Sequence, residues 1–168
     1  MAAVAGFILS RVSEYRWKRM IIFLDPWQDP LGDGWQIIQS LYAIGSGGLF
    51  GVGLGQSTQK YMYIPEPHND FIFAIWAEEM GLFGVLLIMI LFGIFIWRGV
   101  MISIKAPDLF GSLLAIGITV MIGIQAVFSI AVVSSSMPVT GIPLPFFSYG
   151  GTALMILMAC VGILLNIS

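Results

Sequence analysis

Three long uncharged stretches limit what this chain can fold into. They run from Met80 to Trp97, from Leu109 to Val133 and from Tyr149 to Leu165. A helix needs about 20 apolar residues to cross a hydrocarbon core of about 30 Å. Hydrophobic residues make up 58% of the chain and charged residues only 10%, whereas soluble domains carry about 25% charged residues. The sequence therefore predicts an all-α, polytopic integral membrane protein built as a helical bundle.

The distribution of basic residues predicts how these helices are oriented. We expect transmembrane helices at 71–97, 109–133 and 149–168. The loop 98–108 carries Arg98 and Lys105, whereas the loop 134–148 has no Lys or Arg. Because cytoplasmic loops are enriched in Lys and Arg, the first loop is predicted to be cytoplasmic and the second extracytoplasmic. Asp70, which directly precedes the first of these helices, then lies at the outer face.

The beginning of the chain has the composition of an incomplete membrane helix. Ala2 to Leu9 is apolar but too short to span a bilayer, and no basic segment precedes it as in a signal peptide. We interpret residues 1–9 as the end of a truncated transmembrane helix. The chain is accordingly expected to be a fragment of a larger protein.

The segment 10–70 allows two arrangements. Trp35 to Gly55 has no charged residue, so it could span the membrane, which would put the preceding basic cluster inside. That stretch also holds six glycines, which disfavour a lipid-facing helix. We favour a large extracytoplasmic loop with interfacial or re-entrant helices, the first of them at Trp35 to Ile44. The basic residues would then meet an anionic partner: Arg11, Arg16, Lys18 and Arg19.

Polar residues are concentrated directly before the first complete membrane helix. Glu66, His68 and Asp70 lie within five positions of one another, and His68 is the only histidine. Asp70 can be a helix N-cap, a general base, or both, since a cap fixes a carboxylate in place. For His68 we expect hydrogen bonding, because no second histidine is present for a zinc site. Glu66 and Asp70 together could bind a divalent cation through their oxygen atoms.

Two further carboxylates follow about two turns deeper in the same helix. Helical geometry places Glu78 near the face of Asp70 and Glu79 nearly opposite. A charged side chain is costly in hydrocarbon, so at least one of the two should face a protein cavity or a cationic partner. The alternative is a structural role in buried ion pairs with arginines elsewhere in the larger protein.

Basic side chains offer contacts for a phosphate group. Arg16 and Arg19 flank Trp17, so this segment is either an interfacial anchor or a phosphate-binding segment. Lys60 lies close in sequence to the segment that ends at Asp70. It is a candidate for holding a diphosphate.

Two kinds of glycine- and proline-rich segment remain. The glycines at 45–48 and 51–55 match no nucleotide-binding loop and indicate tight turns and close backbone approach. In the loop 141–151, Pro143 and Pro145 add stiffness, and the last helix begins with small residues. We expect this loop to wall a cavity near Asp70, with candidate lining residues Ser148, Gly150 and Gly151.

Six short motifs lie in order along the chain: Phe23–Trp27, Ala43–Gly48, Gly51–Ser57, Pro65–Phe73, Ala77–Glu79 and Gly141–Gly151. Together they resemble the SEDS family (shape, elongation, division and sporulation), which includes FtsW, RodA and SpoVE. The details are more similar to the FtsW/SpoVE branch than to RodA. The resemblance implies a ten-helix protein of the bacterial plasma membrane, of which this chain is about the C-terminal half and 10–70 the large outer loop.

The resemblance also implies a function. The family polymerises lipid II, a disaccharide pentapeptide on undecaprenyl diphosphate, together with a class B penicillin-binding protein and other division or sporulation proteins. Its functional acid falls on Asp70, which would be the base of an inverting glycosyl transfer. Nucleic acid is not an expected partner. The resemblance implies no definite cofactor, and a divalent cation (Mg²⁺ or Mn²⁺) could neutralise the diphosphate in place of basic side chains. The predicted substrate-binding residues are Lys60, Glu66, His68, Arg16, Arg19 and Ser148.

Two other functions stay open at this point. A lipid II flippase would need a hydrophilic path, in which Glu78, Glu79 and Gln125 would matter more than Asp70. A non-catalytic scaffold for the penicillin-binding protein would not need Asp70 at all. As an enzyme, the fragment alone is expected to be inactive, because the donor and acceptor sites should draw on the missing helices.

Overall fold

The described part of the computed structural model is all-helical. It comprises residues 20–32, 34–57 and 71–168, and no strand occurs in these ranges. Residues 20–24 are helical, and a 3-10 turn follows at Pro26–Gln28. Four helices complete the fold: α1 (Trp35–Gly47), α2 (Ile72–Lys105), α3 (Leu109–Val133) and α4 (Gly151–Ile167).

The two longest helices have the length and surface of membrane spans. Both α2 and α3 are long and apolar enough to cross a bilayer. Only 22% of the most apolar stretch of α2 and 44% of that of α3 are buried. A core helix of a soluble protein would bury most of such a surface, whereas these two expose Leu, Ile, Met and Phe side chains on their outer faces. The prediction of a helical membrane protein is confirmed.

The helix ends follow local sequence signals, and one end differs from the prediction. The α3 helix has the predicted bounds, because the Asp108 carboxylate accepts a hydrogen bond from the Gly111 amide at 2.8 Å and caps it. The α4 helix begins two residues later than predicted. The α2 helix continues past Trp97 to Lys105, so most of the predicted loop 98–108 is helical. No proline interrupts the helix between Trp97 and Pro107, whose ring holds Ala106 in an extended conformation (φ −58°, ψ 138°).

Helix α1 packs against the beginning of α2 and the end of α3. It extends three residues beyond the predicted Ile44. Its buried Ser40 hydroxyl donates to the Val133 carbonyl of α3 at 3.1 Å. With about 20 Å of length, α1 is too short to span a bilayer. The extracytoplasmic location of residues 10–70 stays a prediction.

Helix α2 is broken at Gly81, which has the non-helical backbone angles φ 62° and ψ −160°. In a continuous helix, the Leu82 and Phe83 amides would donate to carbonyls four residues earlier. Here the Leu82 amide donates to the Gly48 carbonyl at 3.0 Å and the Phe83 amide to the Leu49 carbonyl at 3.4 Å. The loop after α1 therefore supplies acceptors that the helix itself no longer provides.

The same loop also satisfies the carbonyls on the other side of the break. The Val52 amide donates to the Glu78 carbonyl at 3.0 Å, and the Gly53 amide donates to the Glu79 carbonyl at 3.1 Å. Four backbone hydrogen bonds thus join the segment 48–53, which we call the glycine loop, to α2. Irregular backbone at membrane depth requires protein partners of this kind. The predicted close approach of the glycine segments is confirmed.

Candidate functional site

Most of the predicted substrate-contacting residues lie outside the described part of the chain. These are Arg16, Arg19, Lys60, Glu66, His68 and Asp70. Their roles stay predictions. The structure does describe the elements around them, namely the beginning of α2 and the loop that leads into α4.

Helix α2 begins one residue later than expected for a cap at Asp70. The N-cap position falls on Phe71, and no side chain caps the helix there. The Phe71 side chain is only 2% exposed, and its carbonyl accepts a hydrogen bond from the Ala74 amide at 3.0 Å. Because the residue after Asp70 is buried in the core, the chain is firmly anchored directly beside the candidate base.

The loop before α4 is stabilised by its own polar groups. The Gln125 side chain of α3 donates to the Pro143 carbonyl at 3.2 Å. The Ser148 hydroxyl accepts from the Leu144 amide at 2.8 Å, and the Ser148 amide donates to the Leu144 carbonyl at 3.1 Å. Pro145 is fully buried. Ser148 and Gln125 are therefore loop-stabilising residues here, and substrate contact by Ser148 stays a prediction.

This loop walls a groove that reaches the beginning of α2. The groove has a volume of about 390 Å³, and Ile72, two residues after Asp70, contributes to its lining. The other lining residues are Phe146, Phe147, Ser148, Tyr149, Gly150, Gly151 and Leu154. The α4 helix begins in this groove at Gly151, with no side chain capping it. Since a helix N-terminus carries partial positive charge, this end of the groove favours an anionic group.

The two carboxylates of α2 have different surroundings. Glu78 is 1% exposed, and its carboxylate accepts a hydrogen bond from the buried Ser57 hydroxyl. Glu79 is half-buried. Glu78 faces protein, as expected for at least one of the pair. Ion pairs with arginines of the larger protein stay a prediction.

Cations are scarce in the described ranges. The basic side chains there are Arg98 and Lys105, both in the last two turns of α2 and far along the chain from Phe71. No group of three or more metal-ligating side chains occurs among the described residues. The predicted pair of Glu66 and Asp70 falls outside them. Cys160 is a free, half-buried thiol in apolar α4, in agreement with a packing role.

Sequence comparison assigns the chain to a family. A family model described as "Cell cycle protein" and covering FtsW, RodA and SpoVE matches residues 1–168. The chain belongs to the FtsW/RodA/SpoVE family. Among its relatives, Stage V sporulation protein E of Bacillus subtilis is 55% identical over the whole chain, which spans 45% of that protein. The Probable peptidoglycan glycosyltransferase FtsW of Trichlorobacter lovleyi is 53% identical over 93% of the chain and 41% of its own length.

Solved structures of this family share the fold. A chain from "Structural coordination of polymerization and crosslinking by a peptidoglycan synthase complex" is 36% identical, with a TM-score of 0.71 over 96% of this chain and 44% of that one. The rod shape determining protein RodA of Thermus thermophilus is 38% identical, with a TM-score of 0.57 over 75% of this chain and 37% of its own. The chain spans less than half the length of these FtsW/RodA/SpoVE proteins. The relatives named SpoVE and FtsW confirm the predicted branch.

Two features of this family member were missed at the sequence level. One is the helix break, for which Gly81 between Met80 and Leu82 was the available signal. The other is the contact of Phe146 and Phe147 with α2. The available sequence signal was the position of two large apolar side chains in a loop rather than in a membrane helix. Both features depend on contacts with segments distant in sequence, which periodicity does not report.

Proposed function

We propose that the full-length protein is a peptidoglycan glycosyltransferase that polymerises lipid II at the outer face of the bacterial plasma membrane. The observation that carries this proposal is the 53% identity to a protein named Probable peptidoglycan glycosyltransferase FtsW, over 93% of the chain. The groove at the beginning of α2 supports it, because Ile72, two residues after the candidate base, and the uncapped N-terminus of α4 both line it.

Asp70 is the general base in this mechanism. Its carboxylate takes the proton from the 4-hydroxyl of the acceptor sugar as the hydroxyl oxygen attacks C1 of the donor sugar. The C1–oxygen bond to the diphosphate breaks, and the electron pair leaves with the diphosphate. Attack from the opposite face inverts the α-linked donor to a β-linked product. Because diphosphate is a good leaving group, one carboxylate suffices where a glycosidase uses two.

The charge on the leaving diphosphate must be neutralised. Lys60, Arg16 and Arg19 are the candidates in this chain, and a divalent cation held by Glu66 and Asp70 is the alternative. The described basic residues, Arg98 and Lys105, lie more than 25 residues after Phe71 in the chain. Neutralisation therefore falls to the segments before α2 or to the remainder of the protein. His68 is a hydrogen-bonding neighbour of the base, and a class B penicillin-binding protein is the partner.

The test replaces Asp70 by Asn in the full-length protein purified with its class B penicillin-binding protein. We expect strand synthesis from lipid II to fall at least about 100-fold, the usual contribution of a general base. Asp25→Asn is the matched control, since Asp25 caps the exposed 3-10 turn and Asn caps equally well. The control should retain full activity.

Three other outcomes would contradict the proposal. Wild-type synthesis by Asp70→Asn would remove Asp70 from the chemistry. Movement of lipid II across vesicles without polymer would indicate a flippase. Intact partner binding and cell function in the Asp70→Asn strain would indicate a scaffold.

A further inference from the structure

The loop before α4 holds a large residue in an unfavourable backbone conformation. Phe146 has φ 68°, in the left-handed region that a bulky side chain rarely adopts. The buried Leu144 and Pro145 precede it, and two hydrogen bonds between Leu144 and Ser148 close the turn around it. Backbone strain of this kind persists where the surroundings enforce it, and it is concentrated at functional sites.

This turn places two neighbouring rings against α2 on either side of its break. The Phe147 ring meets the Trp76 ring edge to face, with centroids 5.8 Å apart, before Gly81. The Phe146 ring meets the Phe95 ring at 6.2 Å, after Gly81. Despite these contacts, Phe146 and Phe147 remain 36% and 38% exposed. The strained turn therefore presents two aromatic surfaces rather than burying them.

The two rings form the wall between two neighbouring cavities. One is the groove described above, where Ser148 and the backbone of Gly150 and Gly151 provide polar groups. The other has a volume of about 170 Å³ and only apolar lining: Ile88, Leu91, Phe92, Phe95, Phe146 and Phe147. The groove falls in the range of about 300–1,000 Å³ that is common for ligand sites, whereas the apolar cavity is smaller and adjoins it through the two rings. Together, the two cavities are polar at one end and apolar at the other, which suits an amphiphilic ligand.

We propose that Phe146 and Phe147 bind the polyprenyl chain of the lipid-linked substrate, with the chain along Ile88 to Phe95 and the diphosphate toward Gly150 and Gly151. This inference rests on the proposed function. In such a substrate, the reacting sugar carbon, the diphosphate and the first isoprene unit follow one another directly. A groove lined by Ile72, two residues after Asp70, should therefore adjoin an apolar cavity, and the two cavities here adjoin each other through Phe146 and Phe147.

The first experiment compares two phenylalanine variants of the full-length protein with its partner. Phe146→Gly removes the ring and accepts the positive φ. Phe83→Ala is the matched control, because Phe83 is an exposed ring of α2 that stacks on Phe50, outside both cavities. We expect Phe146→Gly to raise KM about tenfold for lipid II with a 55-carbon chain, the effect of losing one buried aromatic contact.

The chain-length dependence separates binding of the chain from a general structural effect. With an analogue of lipid II that carries only a one-carbon chain (a methyl ester of the diphosphate), which cannot enter the apolar cavity, Phe146→Gly and wild type should have the same KM within about twofold. With either substrate, the kcat of Phe146→Gly should stay within about twofold of wild type. Phe83→Ala should have the wild-type KM and kcat with both substrates. An equal rise in KM for both chain lengths, or the same rise in Phe83→Ala, would overturn the inference.

The second experiment needs no variant and no turnover. Undecaprenyl diphosphate with a photoreactive group in its chain is irradiated with the wild-type full-length protein, and the labelled peptides are identified. Label on residues 88–95 and 142–149 is expected, with competition by unlabelled undecaprenyl diphosphate and at least tenfold less label from a photoreactive phospholipid. Equal labelling by the phospholipid would show an ordinary lipid site. Polymer synthesis from lipid II is measured separately on the same protein. Labelling in a protein that makes no polymer would contradict the proposed function alone. Polymer synthesis by a protein that is not labelled would contradict only this inference.

Discussion

Glu78 illustrates what a carboxylate requires inside an apolar helix. It is one of the largest fully buried side chains, and the equally buried Ser57 donates a hydrogen bond to it. The sequence identified the pair Glu78 and Glu79 as costly in lipid, and it predicted that one of them faces protein. It did not identify Ser57 as a partner, because a contact across 21 positions leaves no periodic signal.

The Ser57 hydroxyl is predicted to stabilise the fold through this carboxylate. Ser57→Ala should lower the free energy of unfolding of the full-length protein by about 1–3 kcal/mol, since a buried acceptor loses a donor. The measurement is reversible unfolding in mixed detergent micelles. Ser46→Ala is the matched control, because that exposed hydroxyl bonds only to the Ala43 carbonyl of its own helix at 2.9 Å. The control should change the free energy by no more than about 0.5 kcal/mol. An equal loss in both variants would contradict the assignment.

At the scale of elements, the glycine loop and the break in α2 depend on each other. Gly51 has φ 78° and Gly81 has φ 62°. A Cβ atom on Gly51 would overlap the Glu79 carbonyl, and one on Gly81 would overlap the Gly51 amide. The backbones can therefore approach closely enough for the four hydrogen bonds only because both positions lack a side chain.

Alanine substitutions test this close approach. Gly51→Ala and Gly81→Ala should each lower the free energy of unfolding by about 1–3 kcal/mol, because each adds a side chain to a strained, occupied position. Gly45→Ala in α1 is the matched control, since its Cβ meets nothing within 4 Å and its φ is helical. It should stabilise the protein by about 0.5–1 kcal/mol. The measurement is the same unfolding experiment, and no loss in Gly81→Ala would show that the break does not need glycine.

The helices show which features a sequence can specify by itself. The bounds of α3 follow from an uncharged stretch that begins after Asp108, a cap formed by the neighbouring residue. The end of α2 lies eight residues beyond the predicted Trp97, because charged residues do not by themselves end a helix and Arg98 to Lys105 is helical. The break at Gly81 requires the glycine loop as a partner. Local signals therefore predict helices well, whereas breaks and strained turns such as Phe146 depend on the tertiary contacts that hold them.

At the scale of the whole molecule, the predicted orientation depends on a few charges. Arg98 and Lys105 lie at the same end of α2, whereas the connection from α3 to α4 carries no Lys or Arg. The groove, the turn at Phe146 and the beginning of α4 all belong to that uncharged connection. An extracytoplasmic site therefore requires this connection to be outside, which the positive-inside rule predicts.

Cysteine accessibility in cells checks this orientation. In a full-length background with Cys160→Ala and any cysteine of the remaining chain also replaced, a cysteine is introduced either by Thr140→Cys, in the connection between α3 and α4, or by Ala106→Cys, directly after α2. A membrane-impermeant maleimide added to intact spheroplasts should label the first variant and should label the second only after permeabilisation, because the basic end of α2 stays in the cytoplasm. The background without an introduced cysteine should stay unlabelled in both conditions. Labelling of the Ala106→Cys variant in intact spheroplasts would invert the bundle and place the groove beside Asp70 on the cytoplasmic side, where it could not serve extracytoplasmic strand synthesis.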